Sequence, residues 1–502
     1  MRLFLLAFFL MPLWLTAQVV INEVASNNET LLVDDFGNTS DWIELFNASA
    51  ENVDLEGYFL SDDVDNLQKW AFPAQTISAH GFLLIFASDE DVNSDFLHTN
   101  FKLSADGESV FLSNPQGDII DQIDLPTLDE DITFGRMPDG ADALFYFNGA
   151  SPNASNNEND FFNIAAMPVF ENQTFFHESE LEIKLTCSNP NCQIFYTLDG
   201  SMPDENALLY NQSFVVNKTT TVRAISVGDQ LDPSPIATQT YFVHAHTSIP
   251  IVAMSTDAQL LFDEESGIFE DGPNAQEEWP FWGANYWNNT EIPVHFEFYE
   301  AGFEKGFAHD LGLKIHGGRG ARTNPLKPVR FLAKNAYGLE EMDYPFFPNR
   351  TRTTYKRLVL RNASGDYKRA YMRDAFMNNF VLQEGFDIDC LAAQPVCWYI
   401  NGEFWGLMYM REKSDEYYLQ NNFGADIENL DLLEEDTVAT VGNYDHFNAF
   451  YDFAVSNDLS VLSNFETASA QMDIYSLADY FIIQTLSNNT CLLYTSPSPR
   501  DS

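Results

Sequence analysis

Seven short runs between Val19 and Asn156 constrain the fold more than any other feature of the chain. VVINEVAS, DWIELFNAS, GYFLS, KWAF, GFLLIFAS, SVFLS and DIIDQIDL alternate apolar and polar residues or are wholly apolar, and Gly, Asn and Asp separate them. Alternation is the period of a strand with one buried face, and turn residues at this spacing belong to an antiparallel β-sandwich. A length of 502 residues has room for about three such domains at roughly 150 residues each. With 45% apolar and 14% aromatic residues each can have its own core, which excludes wholesale disorder.

Asn153 to Asp160 (NASNNEND) is a polar linker. A second β module is expected over residues 167–245. Its centre is Ile194-Phe195-Tyr196-Thr197-Leu198-Asp199-Gly200, followed by Thr220-Thr221-Val222-Arg223-Ala224-Ile225-Ser226. Asp199-Gly200 supplies the positive-φ residue that a tight hairpin turn needs. From Ile249 helical periodicity begins. Met372, Ala375, Phe376, Phe380 and Val381 form a helical stripe within Tyr371 to Glu384, Ser414 is placed to cap a helix through Tyr418, and Leu477, Ala478, Phe481, Ile482 and Leu486 line one helix face.

Charge is distributed unevenly. Lys and Arg number 25 and Asp and Glu 75, a formal net charge of −50. Phosphate is repelled over most of such a surface, which argues against a nucleic-acid or anionic-membrane partner. Yet 14 cations and only four acids lie between Lys314 and Arg373, so this window carries +10 and the remainder −60. These cations either neutralise facing acids inside the fold or bind an anion. Period-two spacing, as at Lys314 and at Lys327 beside Val329 and Phe331, puts side chains on one face of a sheet, and guanidinium forks on one face suit phosphate oxygens.

Residues 1–17 have a basic start, the apolar run LFLLAFFLMPLWLTA and a small-residue end at Ala17, which is a signal-peptide pattern. A membrane anchor is the competing reading, and the run is short for one. A secreted or cell-surface protein with no transmembrane segment after cleavage is expected. Of five cysteines, Cys187 and Cys192 bracket a turn-rich tetrapeptide, Cys390 and Cys397 lie seven apart, and Cys491 is left over. Neither pair has the second half of a zinc site, so two local disulfides are expected in an oxidising compartment. Acidic runs at Asp62, Asp63 and Asp65 and at Asp89, Glu90 and Asp91 lack the glycine and closing glutamate of an EF-hand loop and read as solvated.

Three resemblances follow from particular stretches. Ile21-Asn22-Glu23-Val24, Asp41-Trp42-Ile43-Glu44-Leu45-Phe46-Asn47, Leu55-Glu56-Gly57-Tyr58 and Phe134-Gly135-Arg136-Met137-Pro138-Asp139-Gly140 make residues 19–156 resemble the lamin tail domain, an immunoglobulin-like sandwich and a binding or spacer module. The Ile194–Pro203 stretch resembles the small sandwich at the C-terminus of chitobiases and hexosaminidases, an accessory module. Leu313 to Arg322 (LKIHGGRGAR), Pro325 to Phe331 (PLKPVRF), Lys356 to Asn362 (KRLVLRN), Tyr371-Met372-Arg373-Asp374, Tyr399 to Gly406 (YINGEFWG) and Met410-Arg411-Glu412-Lys413 resemble the spore-coat CotH kinase family, a divergent branch of the protein-kinase-like fold.

The expected architecture is therefore multidomain: two N-terminal all-β immunoglobulin-like sandwiches, then an α+β, divergent protein-kinase-like domain over residues 249–490, truncated at its C-terminus. The resemblance implies ATP- and Mg²⁺-dependent transfer of a phosphoryl group to a protein hydroxyl. It implies Lys327 as the phosphate clamp, against a strand-edge surface lysine, and Arg319, Arg322 and Arg330 as secondary phosphate ligands beside the Gly317-Gly318-Arg319-Gly320 run. Glu412 is the candidate to orient the lysine as a kinase ion pair does, against a surface salt bridge. His316 reads as a strand residue and Asn401-Gly402 as a hairpin turn. Trp279, Phe281, Trp282, Tyr286 and Trp287 either stack a sugar or anchor an insertion.

Beyond Asn488-Asn489-Thr490 the family continues with an aspartate that serves as catalytic base or metal ligand. Here Cys491 follows, and CLLYTSPSPRDS (491–502) resembles translated linker sequence, a non-native tail. Mg²⁺ needs carboxylates beside the phosphates, so the chain as written is expected not to transfer phosphate. The alternative is a non-catalytic surface or adhesion protein with a degenerate kinase-like domain. The expected partners are a protein substrate, or extracellular matrix or polysaccharide.

Overall fold

A computed structural model describes residues 19–92, 94–156, 161–189, 191–228, 231–386, 388–434 and 438–487. The expected signal peptide and the expected tail lie outside these residues. The chain forms two compact units, one around the first sandwich and one around the second module and the α/β region.

In the first unit every one of the seven runs holds a strand. Strands β1 (Val19–Ala25) and β2 (Asp41–Asn47) are central to a seven-stranded sheet. β3 (Thr133–Arg136) pairs with β1, and Phe82–Ala87 pairs with β2. A second sheet of four strands has the order Ile119–Asp124, Ser109–Ser113, Phe59–Ser61, Trp70–Ala71. Ile21, Ile43, Leu45 and Ile85 pack with Leu60, Trp70, Val110 and Leu112 in one core. Two acids are buried on the opposite face of the larger sheet, where Glu44 pairs with Leu84 beside Trp42 and Phe86. Glu23 and Glu44 sit directly opposite each other on β1 and β2, both fully buried. The polar segment after the sandwich is tied to them: Ser151 donates to Glu23, and the Asn153 backbone N–H donates to Glu44.

The second module centres on a five-stranded sheet in which β4 (Thr220–Val227) pairs with β5 (Ala237–Val243). Gly200 has φ +86°, as the turn requires. Cys187 and Cys192 are disulfide-bonded. Seven further strands close a barrel: β6 (Ile251–Ser255), β7 (Ile292–Tyr299), β8 (Lys305–Ile315), β9 (Val329–Leu332), β10 (Arg357–Arg361), β11 (Ala393–Ile400) and β12 (Glu403–Glu412). Their order around the wall is β6, β7, β8, β9, β10, β12, β11, and a parallel β6–β11 pairing completes the circuit. Leu311, Leu313, Val329, Phe331, Leu358, Leu360, Trp398 and Met410 fill the inside, so this barrel is a packed core.

The second module is joined to the barrel through a buried polar knot. Glu297 of β7 is fully buried, with Lys305 Nζ 3.2 Å away, and it accepts from the Tyr299 hydroxyl at 2.8 Å and the Thr240 backbone N–H at 3.3 Å. Helices α1 (Arg319–Arg322), α2 (Arg373–Glu384) and α3 (Glu416–Phe423) decorate the wall, and α4 (Asp445–Ser456), α5 (Leu462–Ser469) and α6 (Ile474–Leu486) follow. Among the described residues no helix is long and apolar enough to cross a membrane.

Three sequence expectations need correction here. Cys390 and Cys397 are free. Cys397 sits within β11, and the strand stretch Ala393–Cys397 alone spans roughly 13 Å, about twice the reach of a disulfide. The cap of α3 is Asp415, whose side chain accepts from the Tyr418 N–H at 3.1 Å, and not Ser414. The apolar positions of α6 are mostly exposed: Leu477, Phe481, Ile482 and Leu486 face outward, and Ile483 is the buried one.

Candidate functional site

The barrel's registry sorts the cations. Lys314 stands opposite Arg330, Arg330 opposite Val359, Val359 opposite Arg411, and Arg411 opposite Ala393. Directly paired residues share a face, and that face is the outside, because the neighbours of opposite parity fill the core. Arg357 and Arg361, two residues either side of Val359, belong to the same outer face.

Acids neutralise much of this wall. Glu291 takes both Lys314 (3.1 Å) and Lys334 (2.7 Å), Lys356 lies 3.1 Å from Glu340, and Arg357 lies 2.8 Å from Asp415 and 3.2 Å from Glu416. One part of this wall keeps a positive excess. His316 lies in it; burial, and then the charges of Lys413, Arg411, Arg330 and Arg361, push its imidazole down to about 2, so it is neutral at any physiological pH. Burial and then Arg357 hold Arg330 below the ordinary guanidinium value, and its buried Nε has no hydrogen-bond partner. Burial and then Arg361 push Arg411 down to about 10 against the pull of Asp374.

Asp374, in the first turn of α2, bridges the wall to the helix. Its Oδ2 accepts from Arg411 Nη1 at 2.8 Å and lies 3.3 Å from Arg361 Nε. Asn378, one turn on, donates to the Asp374 carbonyl at 2.9 Å and accepts from the Leu391 N–H at 3.1 Å. Beside this bridge opens a cavity of about 270 Å³, lined among others by Arg361, Arg411, Asp374, Asn378, Asp389 and Ser414.

The candidate residues read from sequence separate into two groups. Arg330 acts on His316 through its charge, and Arg322 lies in its electrostatic field. Arg322 donates to the carbonyls of Gly317 and Tyr286 and lies 5.2 Å from the Trp287 ring. Arg319 sits exposed, 5.3 Å from Trp282. Lys327 is 8% exposed with Nζ 4.0 Å from the Tyr286 ring centroid, and burial lowers its ammonium against the pull of Asp271 and Glu270. Three cations thus rest on three aromatic rings, so this cluster anchors the insertion to the Gly317–Lys327 stretch. Lys327 has the parity of Val329 and Phe331, not that of Arg330, so the four candidates do not share one face. It is a buried lysine and not a strand-edge surface one.

Glu412 is also reassigned. It is buried and pairs with Arg350 (2.8 Å) and Arg352 (3.7 Å), and it accepts from the Ala392 N–H at 2.8 Å. It lies opposite Leu358 on the core side of β12, one residue from Arg411 but on the other face. Its ion-pair partners are arginines and not Lys327. The Arg361–Asp374–Arg411 bridge was missed in the sequence. All three residues lie in stretches that carry the family resemblance, but their meeting depends on strands distant in the chain.

Among the described residues no group of three or more His, Cys, Asp or Glu side chains is placed to hold a metal.

Comparison with protein families places three matches along the chain in order. Residues 15–127 match the Lamin Tail Domain, residues 183–241 match the family described as Fn3 associated, and residues 313–495 match CotH kinase protein. The second match gives the Fn3-associated family where the residues resemble a chitobiase-type sandwich. The third runs five residues into the expected tail. No curated protein matches the chain.

Proposed function

We propose that the α/β region is the phosphoryl-transfer domain of an exported protein, built to bind ATP and pass a phosphoryl group to a protein hydroxyl. The observation that carries this reading is the Asp374 bridge. Protein kinases need an ion pair between a strand cation and a helix carboxylate beside the phosphates, and catalysis there is mostly positioning and charge neutralisation. Here strand residues Arg361 and Arg411 meet helix residue Asp374 on the face where Arg330 and Lys413 raise the positive potential. The CotH kinase match over residues 313–495 supports it.

Each side chain then has a defined task. Arg361 and Arg411 neutralise phosphate oxygens. Asp374 pairs with both in the absence of nucleotide, and Asn378 fixes α2 against Leu391. His316, held neutral, adds no competing charge and has one ring nitrogen free to donate. ATP supplies the transferable phosphoryl group. Cys491 stands where the family carries its aspartate after Thr490, a position outside the described residues, and our reading keeps the expectation that this chain as written does not transfer phosphate.

Export is part of the proposal, supported by the signal-peptide pattern and by the Cys187–Cys192 disulfide. So are the domain limits, 19–156, 167–245 and 249–490. A second reading, a non-catalytic surface or adhesion protein that binds matrix or polysaccharide, is favoured by one observation: Asp374 already occupies the space between the two guanidiniums. Thermal shift with ATP, with and without Mg²⁺, and with glycans separates the two. Stabilisation by nucleotide supports the first, and stabilisation by glycans alone overturns it. Radiolabelled ATP and this chain should give no Mg²⁺-dependent incorporation; robust incorporation refutes the expected inactivity.

A further inference from the structure

The cavity beside α2 is small. At about 270 Å³ it lies below the roughly 300–1,000 Å³ of pockets that enclose a drug-sized molecule, so it is matched to one tetrahedral anion and its waters. Its walls carry the guanidiniums of Arg361 and Arg411. Each keeps a buried Nε without a hydrogen-bond partner, although Arg361 Nε stands 3.3 Å from Asp374. The Ser414 hydroxyl adds a donor at the rim. Against them stand two carboxyls. Asp374 is engaged by both arginines. Asp389 accepts from the Tyr418 hydroxyl, and burial raises its pKa, which weakens its claim as a counter-charge.

The frame around these groups is built and not incidental. Asn378 ties α2 to Leu391, and Arg350 donates to the Cys390 carbonyl and to Glu412, so both sides of the Asp389–Leu391 wall are held. Planar guanidiniums that converge in a partly desolvated space are suited to phosphate oxygens.

From this we infer that the cavity is a seat for a single phosphate group, held by Arg361 and Arg411, and that Asp374 is a latch which occupies the guanidiniums until the phosphate displaces it. The seat takes either free inorganic phosphate or the terminal phosphate of a nucleotide. This rests on the phosphoryl-transfer reading and deepens it, because it names the side chains that meet the phosphate and a built-in competitor.

The test is isothermal titration of the full chain with inorganic phosphate at low ionic strength without divalent metal, then with ATP in competition. Arg411→Gln and Arg361→Gln should each weaken phosphate binding by about tenfold or more, the loss expected for one charge-assisted hydrogen bond. Asp374→Asn should tighten it by a similar factor, since the latch is discharged. Lys102→Gln, on the first sandwich, should change nothing. Circular dichroism checks each variant for folding, and Asp374→Asn serves if both arginine variants unfold. Equal affinity in wild type and both arginine variants overturns the seat, and so does weaker binding in Asp374→Asn. Phosphate binding that needs Arg411 but is not displaced by ATP leaves the seat standing and sinks the kinase reading. ATP binding indifferent to both arginine variants and to phosphate sinks the seat and leaves the kinase reading.

Discussion

Replacing Glu44 by Gln should stabilise the first sandwich, by an amount that depends on pH in a defined direction. Glu44 and Glu23 face each other across β1 and β2 with no exposure, and like charges directly opposite are destabilising. Among the described residues no cation pairs with either. Glu23 accepts from Thr133 and Ser151, Glu44 accepts from Asn22 and the Asn153 N–H, and Asp139 adds a third carboxylate. Burial, and then the charge of Glu23, push Glu44 up from 4.5 to about 8. The folded state therefore keeps a proton that the unfolded chain gives up at about 4.5. Stability is fully present below pH 4.5 and falls as pH rises to about 8, because there the unfolded state binds fewer protons. At about 1.4 kcal/mol per pH unit this amounts to roughly 5 kcal/mol, an upper bound. Glu44→Gln keeps the acceptor for Asn153 and removes the ionisation. Hydrogen exchange of β1 and β2 amides in the full chain, wild type against variant at each pH, cancels the intrinsic pH dependence of exchange. The stability advantage of the variant should grow from near zero at pH 4.5 to several kcal/mol at pH 8. A difference that stays flat, or a variant less stable at pH 8, refutes the reasoning.

Other outcomes follow from the second unit. Glu297→Ala leaves partly buried Lys305 with no carboxylate, only the Gln239 side-chain oxygen, and should cost up to about 3–5 kcal/mol, read as a shift in urea midpoint. Arg350→Ala should cost a similar amount, up to about 3–5 kcal/mol, by leaving buried Glu412 only the more distant Arg352 (3.7 Å) as a cationic partner; Arg350→Lys should restore only part, because one ammonium cannot reproduce the two contacts of the guanidinium to Glu412 Oε2. Alkylation of the denatured, unreduced chain should label Cys390 and Cys397 and leave Cys187 and Cys192 unmodified until a reductant is added.

Local patterns carried over well. The seven runs of the first sandwich are strands because alternation and turn residues act within a few positions, and Gly200 adopts the positive φ its turn demanded. The helix expected within Tyr371–Glu384 forms as α2, yet Met372 and Phe376 of its stripe are exposed; periodicity fixes the helix, and packing decides which apolar residues it covers. Ser414 and Asp415 are both competent caps. Arg357 holds the Asp415 carboxylate at 2.8 Å, a partner 58 residues away that local sequence does not reveal.

The amino-acid sequence alone settled that this chain is a succession of β modules followed by an α/β region, and that its positive charge is concentrated in one stretch of sixty residues. It did not settle what that charge faces. Barrel closure brings Lys314, Arg330 and Arg411 into one row although almost a hundred residues separate the first from the last, and strand parity sends Arg411 outward to Asp374 and its neighbour Glu412 inward to Arg350. Propensity and periodicity act through neighbours along the backbone, whereas an ion pair is chosen by which side chains the closed sheet leaves within a few ångströms.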